Sequence, residues 1–456
     1  GAAGGGKNNG FDYVLLLFYS QIMGLPAVLV AAALGIALIL DAVSDPMVGY
    51  WSDNLRSRLG RRHPFMYIAM VPVAVAYFFL WNPPTDMETP GLFAWLLTLT
   101  ILIRLMYTLY EVPNTALAAE LSQDYDDRTS LISFRYFFAW VGGLTVQVIL
   151  FAVLLEPSEA DTSGFSHIPG WNTYGLVGGC VIFTAILISS AGTHHQIPNF
   201  NQPPPRRPLT PLKVIWETVS NPSFRALFVA TMFGLIATGI SATLNQYING
   251  FFWGFTSDQI GLLTIAVFIS TIIALVIAPI AGKKFGKKHA AIIIGLLAFT
   301  IAPAPVFARQ LGLMPPNGTE ALFNTILVVT VIDVALIIAY QILATSMVAD
   351  IVEESELKTG RRSEGVFFAG ISFMRKLAQM TGVFSASLIL TAAAIVPGMT
   401  ANEMSDESIR ALGWGYATTL LVVWMLMLLA ISFYRISRED HERNLQALAD
   451  RKAAEA

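Results

Sequence analysis

The segment of residues 40–64 reads LDAVSDPMVGYWSDNLRSRLGRRHP. Its first half continues an apolar run that starts near Ala27, which places Asp41 and Asp45 at membrane depth, and its second half is a short basic loop. A carboxylate inside hydrocarbon costs on the order of 2.5–3.5 kcal/mol. Two carboxylates four residues apart share one helix face, about 6 Å apart along the axis. Core packing gives no reason for such a pair, so it predicts a cation site.

The composition is that of a membrane protein. The chain has 456 residues, of which 55% are hydrophobic and only 13% are charged, and its mean hydropathy is +0.60. Ordinary globular domains carry about 25% charged residues. A single cysteine, Cys180, excludes a disulfide framework and a cysteine-based metal site. We therefore expect an all-α integral membrane protein.

The hydropathy pattern predicts about twelve spans, each of roughly 20 apolar residues. They cover residues 1–22, 27–53, 65–82, 91–119, 129–155, 172–192, 223–252, 258–281, 290–308, 320–348, 363–393 and 408–434. A proline-rich connector separates two six-span halves. The predicted domains are an N-terminal bundle (1–192), a middle loop (193–222), a C-terminal bundle (223–434) and a tail (435–456), and we expect the first helix to begin before Gly1.

The loops alternate between basic and acidic. Lys and Arg cluster at 56–62, 206–213, 283–288 and 358–362, whereas the intervening loops carry Asp and Glu. Because cytoplasmic loops are enriched in Lys and Arg, this bias predicts a cytoplasmic location for both termini and for the middle loop.

The two halves repeat weakly. The basic loop Gly60–Pro64 corresponds to Gly282–His289, and mixed acidic and basic loops follow both the fourth and the tenth span. Parallel halves with matching loops indicate a two-bundle secondary transporter that binds its substrate near the midplane. The basic loops could also serve only to fix topology.

Asp41, Ser44 and Asp45 present oxygen atoms on neighbouring positions of one helix. A small hard cation requires several oxygen ligands, some of them charged. If the carboxylates share a proton instead, the pair suits a proton carrier. The third interpretation is an ion pair with a basic residue of another span.

The fourth span carries a continuous polar stripe: Arg104, Tyr107, Thr108, Glu111 and Thr115. Arg135 and Trp140 follow in the fifth span, and Lys376 lies in the eleventh. A carboxylate and a guanidinium can bind the hydroxyls of a sugar, while aromatic faces stack on its C–H surface. The alternative is a charge network that holds helices together. Asp12 of the first span and Gln341 of the tenth are further candidates for the lining of a cavity.

Other signals do not predict chemistry. Gly1–Asn8 nearly spells a phosphate-binding loop, but Asn8 occupies the position at which Ser or Thr must bind magnesium, and close helix packing explains the small residues better. Signatures of enzymes and nucleotide-driven pumps are missing. We expect no enzyme activity, no cofactor and no nucleic-acid partner. The expected partners are a small molecule, a monovalent cation and the bilayer, bound by a monomer.

Three blocks of the sequence belong together. They are Asp41-Ala-Val-Ser-Asp45-Pro46, the basic loop that ends in Gly60-Arg-Arg-His-Pro64, and the segment from Met347-Val-Ala-Asp350 to Lys376. In register over the whole chain, these blocks resemble the glycoside–pentoside–hexuronide:cation symporters of the major facilitator superfamily. The resemblance implies a twelve-span facilitator fold in the bacterial inner membrane, and symport of a sugar with Na⁺ or H⁺.

The resemblance also implies roles for individual residues. Asp41, Asp45 and Thr108 match cation-binding positions, to which Ser44 would add a hydroxyl. Glu111 and Arg135 match the sugar-binding acid and arginine of the family, and Lys376 matches a lysine near the cation and sugar sites. With the candidates named above, the predicted substrate-binding residues are Asp12, Tyr107, Glu111, Arg135, Trp140, Gln341 and Lys376. A cytoplasmic gate would pair acids with bases of the other half, and its members are Arg61, Arg62, Asp350, Glu353, Glu356 and Arg362.

Three positions depart from the family pattern. Ser44 stands where a sodium-coupled member has asparagine, Gly5 stands where that member has a sugar-binding aspartate, and Gln341 replaces a sugar-contacting tryptophan. Asp12, two turns beyond Gly5, is a substitute for that aspartate. The sequence thus predicts cation-coupled transport of a sugar, glycoside or sugar acid. The alternatives are a carrier of anionic hexuronides or sulfosugars and a lysolipid symporter.

Overall fold

The apolar runs form twelve helical rods. The computed structural model describes residues 1–121, 125–158, 161–199, 222–359 and 364–434, together with positions 439, 443, 446 and 447 of the tail. Within these ranges all regular structure is helical. Ten of the described helices are long and apolar enough to cross a membrane, and the helices that start at Ala2 and at Glu364 complete the set of twelve.

The helix bounds agree with the predicted spans to within a few residues, except at one end. The first rod, α1, consists of Ala2–Asn9, Gly10–Val14, Leu15–Leu17 and Phe18–Ile22, and its second and fourth segments are π-helical. The others are α2 (Ala27–Asn54), α3 (His63–Leu80), α4 (Thr89–Leu121), α5 (Tyr125–Ile149, continued by the π-helical Leu150–Leu154), α6 (Ile168–Gly192), α7 (Pro222–Tyr247, continued by the π-helical Ile248–Phe252), α8 (Ser257–Phe285), α9 (Lys287–Ile301, followed by Ala304–Gln310), α10 (Glu320–Thr359), α11 (Glu364–Ala392) and α12 (Asp406–Ser432). The exception is α10, which continues past its predicted end at 348 because the polar segment that follows is rich in helix-forming Glu, Leu and Lys.

The chain divides into two compact units. Unit 1 comprises Gly1–Arg206, Ala242–Thr264 and Val383–Leu412, and unit 2 comprises Arg207–Ser241, Ile265–Gly382 and Gly413–Ala456. Four helices, α7, α8, α11 and α12, contribute to both units. The division into an N-terminal and a C-terminal bundle stays a prediction from the sequence.

Within unit 1, glycines allow the helices to approach closely. α1 packs against α5 and α6, α2 packs against α4, and α3 packs against α4 and α6. A Cβ atom at Gly5 would collide with the backbone carbonyl of Ala139, and one at Gly142 would lie 2.8 Å from the Cα atom of Ala2. Small residues at 1–8 therefore serve close packing, as the sequence predicts.

Two turns of unit 1 share one geometry. The α1–α2 and α7–α8 turns each begin with a π-helical segment and then place a glycine at positive φ, Gly24 at +76° and Gly254 at +67°. The backbone hydrogen bonds correspond: Met23 N to Phe18 O (3.0 Å) and Leu25 N to Tyr19 O (2.9 Å) match Trp253 N to Ile248 O (2.9 Å) and Phe255 N to Asn249 O (2.9 Å). This correspondence supports the internal repeat that the loops predict.

Prolines interrupt several helices. Pro46 lies inside α2, Pro72 inside α3, Pro113 inside α4 and Pro279 inside α8. Each lacks an N–H group, so the helix loses the hydrogen bond to the carbonyl four residues earlier. In α2 and α4 the weakened turns include the predicted site residues Asp45, directly before Pro46, and Glu111, two residues before Pro113.

Candidate functional site

The packing of α2 against α4 brings the two carboxylates to one hydroxyl. The Thr108 Oγ1 atom lies 2.8 Å from Oδ1 of Asp41 and 3.1 Å from Oδ1 of Asp45. Asp41 and Thr108 are buried, whereas Asp45 is partly accessible. The three residues predicted from the resemblance therefore form one cluster.

A buried arginine completes this cluster. Nη1 of Arg104 lies 3.5 Å from Oδ2 of Asp41, and the whole residue is only 6% exposed. Arg104 is one turn before Thr108 on α4, so both side chains face α2. The Nε atom of Arg104 has no hydrogen-bond partner among the described residues. The ion pair that the sequence offered as an alternative is present together with the carboxylate pair.

The hydroxyl of Ser44, which we expect to be a cation ligand, bonds to the backbone of its own helix. It donates to the backbone carbonyl of Asp41 at 3.0 Å, within the same helix. A serine in a helix often bonds the preceding turn in this way. The structure thus brings Asp41, Asp45 and Thr108 together but joins Ser44 to the backbone, and a role for Ser44 in cation binding stays a prediction.

α1 supplies a cation that the sequence reasoning missed. Lys7 is 6% exposed, and its Nζ atom lies 4.2 Å from the ring centroid of Tyr107 and 6.0 Å from that of Phe11. The Cζ atom of Arg104 lies 5.2 Å from the same Phe11 ring. Lys7 forms neither a hydrogen bond nor a salt bridge of 4.0 Å or less with any residue that the structure describes. A lysine within an apolar span was the signal that could have revealed it.

Asp12 joins the charge cluster at longer range. It lies in the π-helical segment Gly10–Val14 of α1 and interacts electrostatically with both Lys7 and Arg104. The predicted placement of Asp12 beside the polar stripe of α4 is therefore consistent with the geometry, and its proposed contact with substrate stays a prediction.

The opposite end of the α4 stripe carries a more accessible ion pair. Nη2 of Arg135 on α5 lies 3.7 Å from Oε1 of Glu111, and the two side chains are 30% and 47% exposed. Tyr107, one turn from Glu111, is buried, whereas Trp140 on α5 is exposed. Both members of this pair are therefore partly open to solvent, and their contact with a substrate stays a prediction.

The remaining predicted residues lie elsewhere. Gln341 on α10 is exposed and Lys376 on α11 is half-buried, both in unit 2. The side chains of Asp350, Glu353, Glu356 and Arg362 lie outside the described residues.

Of the predicted gate bases, Arg62 has well-defined partners. It is 6% exposed, and its guanidinium donates to the carbonyl of Pro113 at 3.3 Å and pairs with Asp53 at 3.5 Å. Both of these contacts lie inside unit 1. Arg61 also interacts within the structure. The pairing of these arginines with acids of the other half stays a prediction.

Comparisons with known proteins give this geometry a context. The family model described as MFS/sugar transport protein matches residues 1–438. An uncharacterized symporter of Synechocystis sp. is 27% identical over 96% of this chain and 93% of its own length. The isoprimeverose transporter of Lactiplantibacillus pentosus is 23% identical (93% and 84%), and a putative sulfoquinovose importer of Salmonella typhimurium is 25% identical (96% and 88%).

Solved structures share the fold. A bacterial homolog of the human lysosomal transporter Spinster, in an inward-facing conformation, superposes with a TM-score of 0.66 at 14% identity, covering 95% of this chain and 93% of that one. A D-xylose-proton symporter superposes with a TM-score of 0.61 at 16% identity, covering 93% and 95%. The resemblance to the glycoside–cation symporters is confirmed. The chain is a multi-pass membrane transporter with the major facilitator fold, not an enzyme, and it belongs to the MFS/sugar transport protein family.

Proposed function

We propose that this transporter carries out cation-coupled symport of a sugar, glycoside or sugar acid by alternating access, in a bacterial inner membrane with both termini in the cytoplasm. The observation that carries the proposal is the contact of one hydroxyl with two carboxylates, at Thr108, Asp41 and Asp45. The coupling ion is Na⁺ or H⁺.

The oxygen–oxygen contacts of the cluster favour a bound proton or cation. The Thr108 hydroxyl has a single proton and can donate it to only one of the two carboxylate oxygens at a time. The other close oxygen–oxygen contact is favourable only when a carboxyl group carries a proton or when a cation lies between the oxygens. Arg104 interacts closely with Asp41 and also with Asp45, and the proposal assigns the coupling ion to this carboxylate pair.

In this proposal, the Glu111–Arg135 pair binds the substrate. A carboxylate and a guanidinium 3.7 Å apart can each hydrogen-bond neighbouring hydroxyls of a sugar. Because both side chains are partly exposed, binding replaces water and a weak ion pair rather than breaking a buried one. Tyr107 and Trp140 would supply aromatic faces, and Gln341 and Lys376 are proposed to complete the substrate contacts.

Coupling then follows from charge neutralisation. Occupation of Asp45 by the cation reduces the cost of enclosing the carboxylates away from water. Each ligand therefore raises the affinity for the other, as linkage requires. The proposed gate acids and bases would break and reform their pairs as the transporter changes its access.

An anionic sugar is the second candidate substrate. The ammonium group of Lys7 is buried against Tyr107 and interacts with Glu111, Asp41 and Asp12 only at longer range than a salt bridge, so a substrate carboxylate or sulfonate would supply a close anion. The relative named as a putative sulfoquinovose importer is compatible with this choice. The charged side chains Glu111 and Arg135 disfavour the lysolipid alternative, since an acyl chain needs an apolar tunnel.

The test uses purified protein in proteoliposomes with an imposed Na⁺ or H⁺ gradient. Asp45→Asn should abolish accumulation of radiolabelled sugar against its gradient but retain exchange of internal for external sugar. Asp258→Asn, at the exposed start of α8, is the matched control and should accumulate like the wild type. Accumulation by Asp45→Asn against a gradient would rule out the proposed coupling site.

A binding panel identifies the ion and the substrate class. Tryptophan fluorescence would report the binding of neutral sugars, sugar acids and a lysolipid, with Na⁺, with Li⁺ and without either, at two pH values. Affinity that rises with Na⁺ identifies a metal-coupled site, and affinity that follows pH alone identifies a proton-coupled one. Binding of the lysolipid and of no sugar would contradict the proposed substrate class.

A further inference from the structure

A carboxylate of unit 2 remains outside the machinery described above. Asp333 is the only charged residue between Glu320 and Met347, the membrane-spanning part of α10. Its Oδ1 atom is shielded from solvent and has no hydrogen-bond partner among the described residues. Ionisable residues inside spans are rare and mark functional positions.

The packing around α10 shows where this carboxylate lies. Tyr340, two turns beyond Asp333 on the same face, packs edge to face on Phe299 of α9 with ring centroids 5.4 Å apart. Phe299 in turn stacks on Trp424 of α12 at 4.8 Å. This face of α10 is therefore directed towards α9 and α12 inside unit 2, not towards lipid.

The contacts that align α10 with α12 also place Tyr416 of α12 at the level of Asp333. Tyr416 precedes Trp424 by eight residues on one face of α12, about 12 Å along the axis, and Asp333 precedes Tyr340 by seven, about 10 Å. Tyr416 interacts electrostatically with Asp333. Its hydroxyl lies 3.4 Å from the hydroxyl of Ser241 on α7, so a chain of polar groups joins three helices.

No cation compensates Asp333 within the described part of unit 2. The residues that α9 turns inward are apolar. Of the cations, Lys288 donates to the carbonyl of Tyr434 at the far end of α12. Arg309 lies beyond the end of α9, and Arg375 and Lys376 on α11 have no charge interaction with Asp333. The titratable group that faces Asp333 from a neighbouring helix is Tyr416.

We infer that Asp333 is a second proton-binding site, separate from the Asp41–Asp45 pair, where a neutral carboxylic acid lies in the interior of unit 2 with Tyr416 as its titratable neighbour. An ionised carboxylate without a partner in such surroundings would cost several kcal/mol, and binding a proton removes this cost. Asp333 as a whole is partly accessible, whereas its Oδ1 atom is enclosed, so a proton can reach the carboxyl group through its accessible part.

Infrared spectroscopy of the protein in nanodiscs tests this inference without any substrate. At neutral pH the wild type should show a protonated-carboxyl C=O absorption that Asp333→Asn lacks, equivalent to one group per molecule. Asp406→Asn, at the exposed start of α12, should retain it. Identical spectra of the wild type and Asp333→Asn in the carboxyl region would overturn the inference.

Two further variants keep the test decisive. Tyr416→Phe should shift the absorption without removing it, because the acid loses a hydroxyl neighbour; an unchanged position would overturn the assignment of Tyr416. Should Asp333→Asn fail to fold, Asp333→Glu retains the acid and should move the absorption. No shift in Asp333→Glu would again overturn the site. None of these infrared measurements depends on sugar transport. The proposed function can therefore be refuted while the assignment of Asp333 stands, and the assignment can be refuted while the proposed function stands.

Discussion

Removal of Arg104 should destabilise the fold through the carboxylate it leaves behind. Its guanidinium lies 3.5 Å from Asp41, and the two side chains are 7% and 11% exposed. At an effective dielectric constant of about 20, unit charges at this separation attract by about 5 kcal/mol. Breaking a buried pair by deleting one partner costs about 3–5 kcal/mol, because the remaining charge is uncompensated.

We therefore expect Arg104→Gln to lower the free energy of unfolding by about 3 kcal/mol or more. The double variant Asp41→Asn/Arg104→Gln should recover at least about 2 kcal/mol of this loss, since it buries no charge. The assay is denaturant titration in mixed micelles, followed by tryptophan fluorescence. Arg225→Gln, on the exposed start of α7, is the matched control and should stay within about 0.5 kcal/mol of wild type.

The double-mutant cycle tests whether Arg104 and Asp41 are energetically coupled. If the losses of the two single variants simply add in the double variant, Arg104 and Asp41 are not coupled and the electrostatic reasoning is wrong. Unchanged stability of Arg104→Gln would refute it as well, because a solvated pair at this site would contribute little.

Three further changes address packing, the cation and the substrate. Gly5→Ala should cost about 2 kcal/mol or more because its Cβ collides with the Ala139 carbonyl, whereas Gly192→Ala, with open space around it, should be neutral in the same unfolding assay. Thr108→Val should weaken coupling-cation binding by about tenfold, measured by fluorescence titration, and retention of full affinity would exclude the hydroxyl as a ligand. Lys7→Gln should weaken binding of a sugar acid by about tenfold but leave a neutral sugar unaffected; an equal loss for both would argue for a purely structural role.

The sequence predicts the helices well, and it also predicts that Asp41, Asp45 and Thr108 lie together, for physical reasons. Apolar runs must form helices in a bilayer, because every backbone polar group needs an internal partner. The spacing of Asp41 and Asp45 requires one helix face, and the match of Thr108 to a family motif adds the residue that the other helix brings to them.

The other features of the site depend on contacts between helices and on local hydrogen bonds, which no pattern in the sequence specifies. Lys7 stands in a glycine-rich run that is explained by close packing, and only the approach of α1 to α4 shows that its ammonium lies on the Tyr107 ring. The Ser44 hydroxyl donates to the backbone carbonyl of Asp41 in its own helix. Helical periodicity predicts the face on which Ser44 lies but not this hydrogen bond. The π-helical segments of α1 shift the faces of the helix, so a regular helical wheel misplaces the residues on either side of them.

The prolines of α2 and α4 have a consequence for motion. Pro46 removes the hydrogen bond to the carbonyl of Ala42, so the weakened turn of α2 lies between Asp41 and Asp45, and Pro113 removes the bond to the carbonyl of Leu109, directly after Thr108. A helix that lacks one internal hydrogen bond bends most easily at that turn. Bending of α2 would therefore change the distance between the two carboxylates, whereas bending of α4 would leave Thr108 with the segment before it. The segment that runs on to Asn54 and the geometry of the carboxylate pair would thus move together.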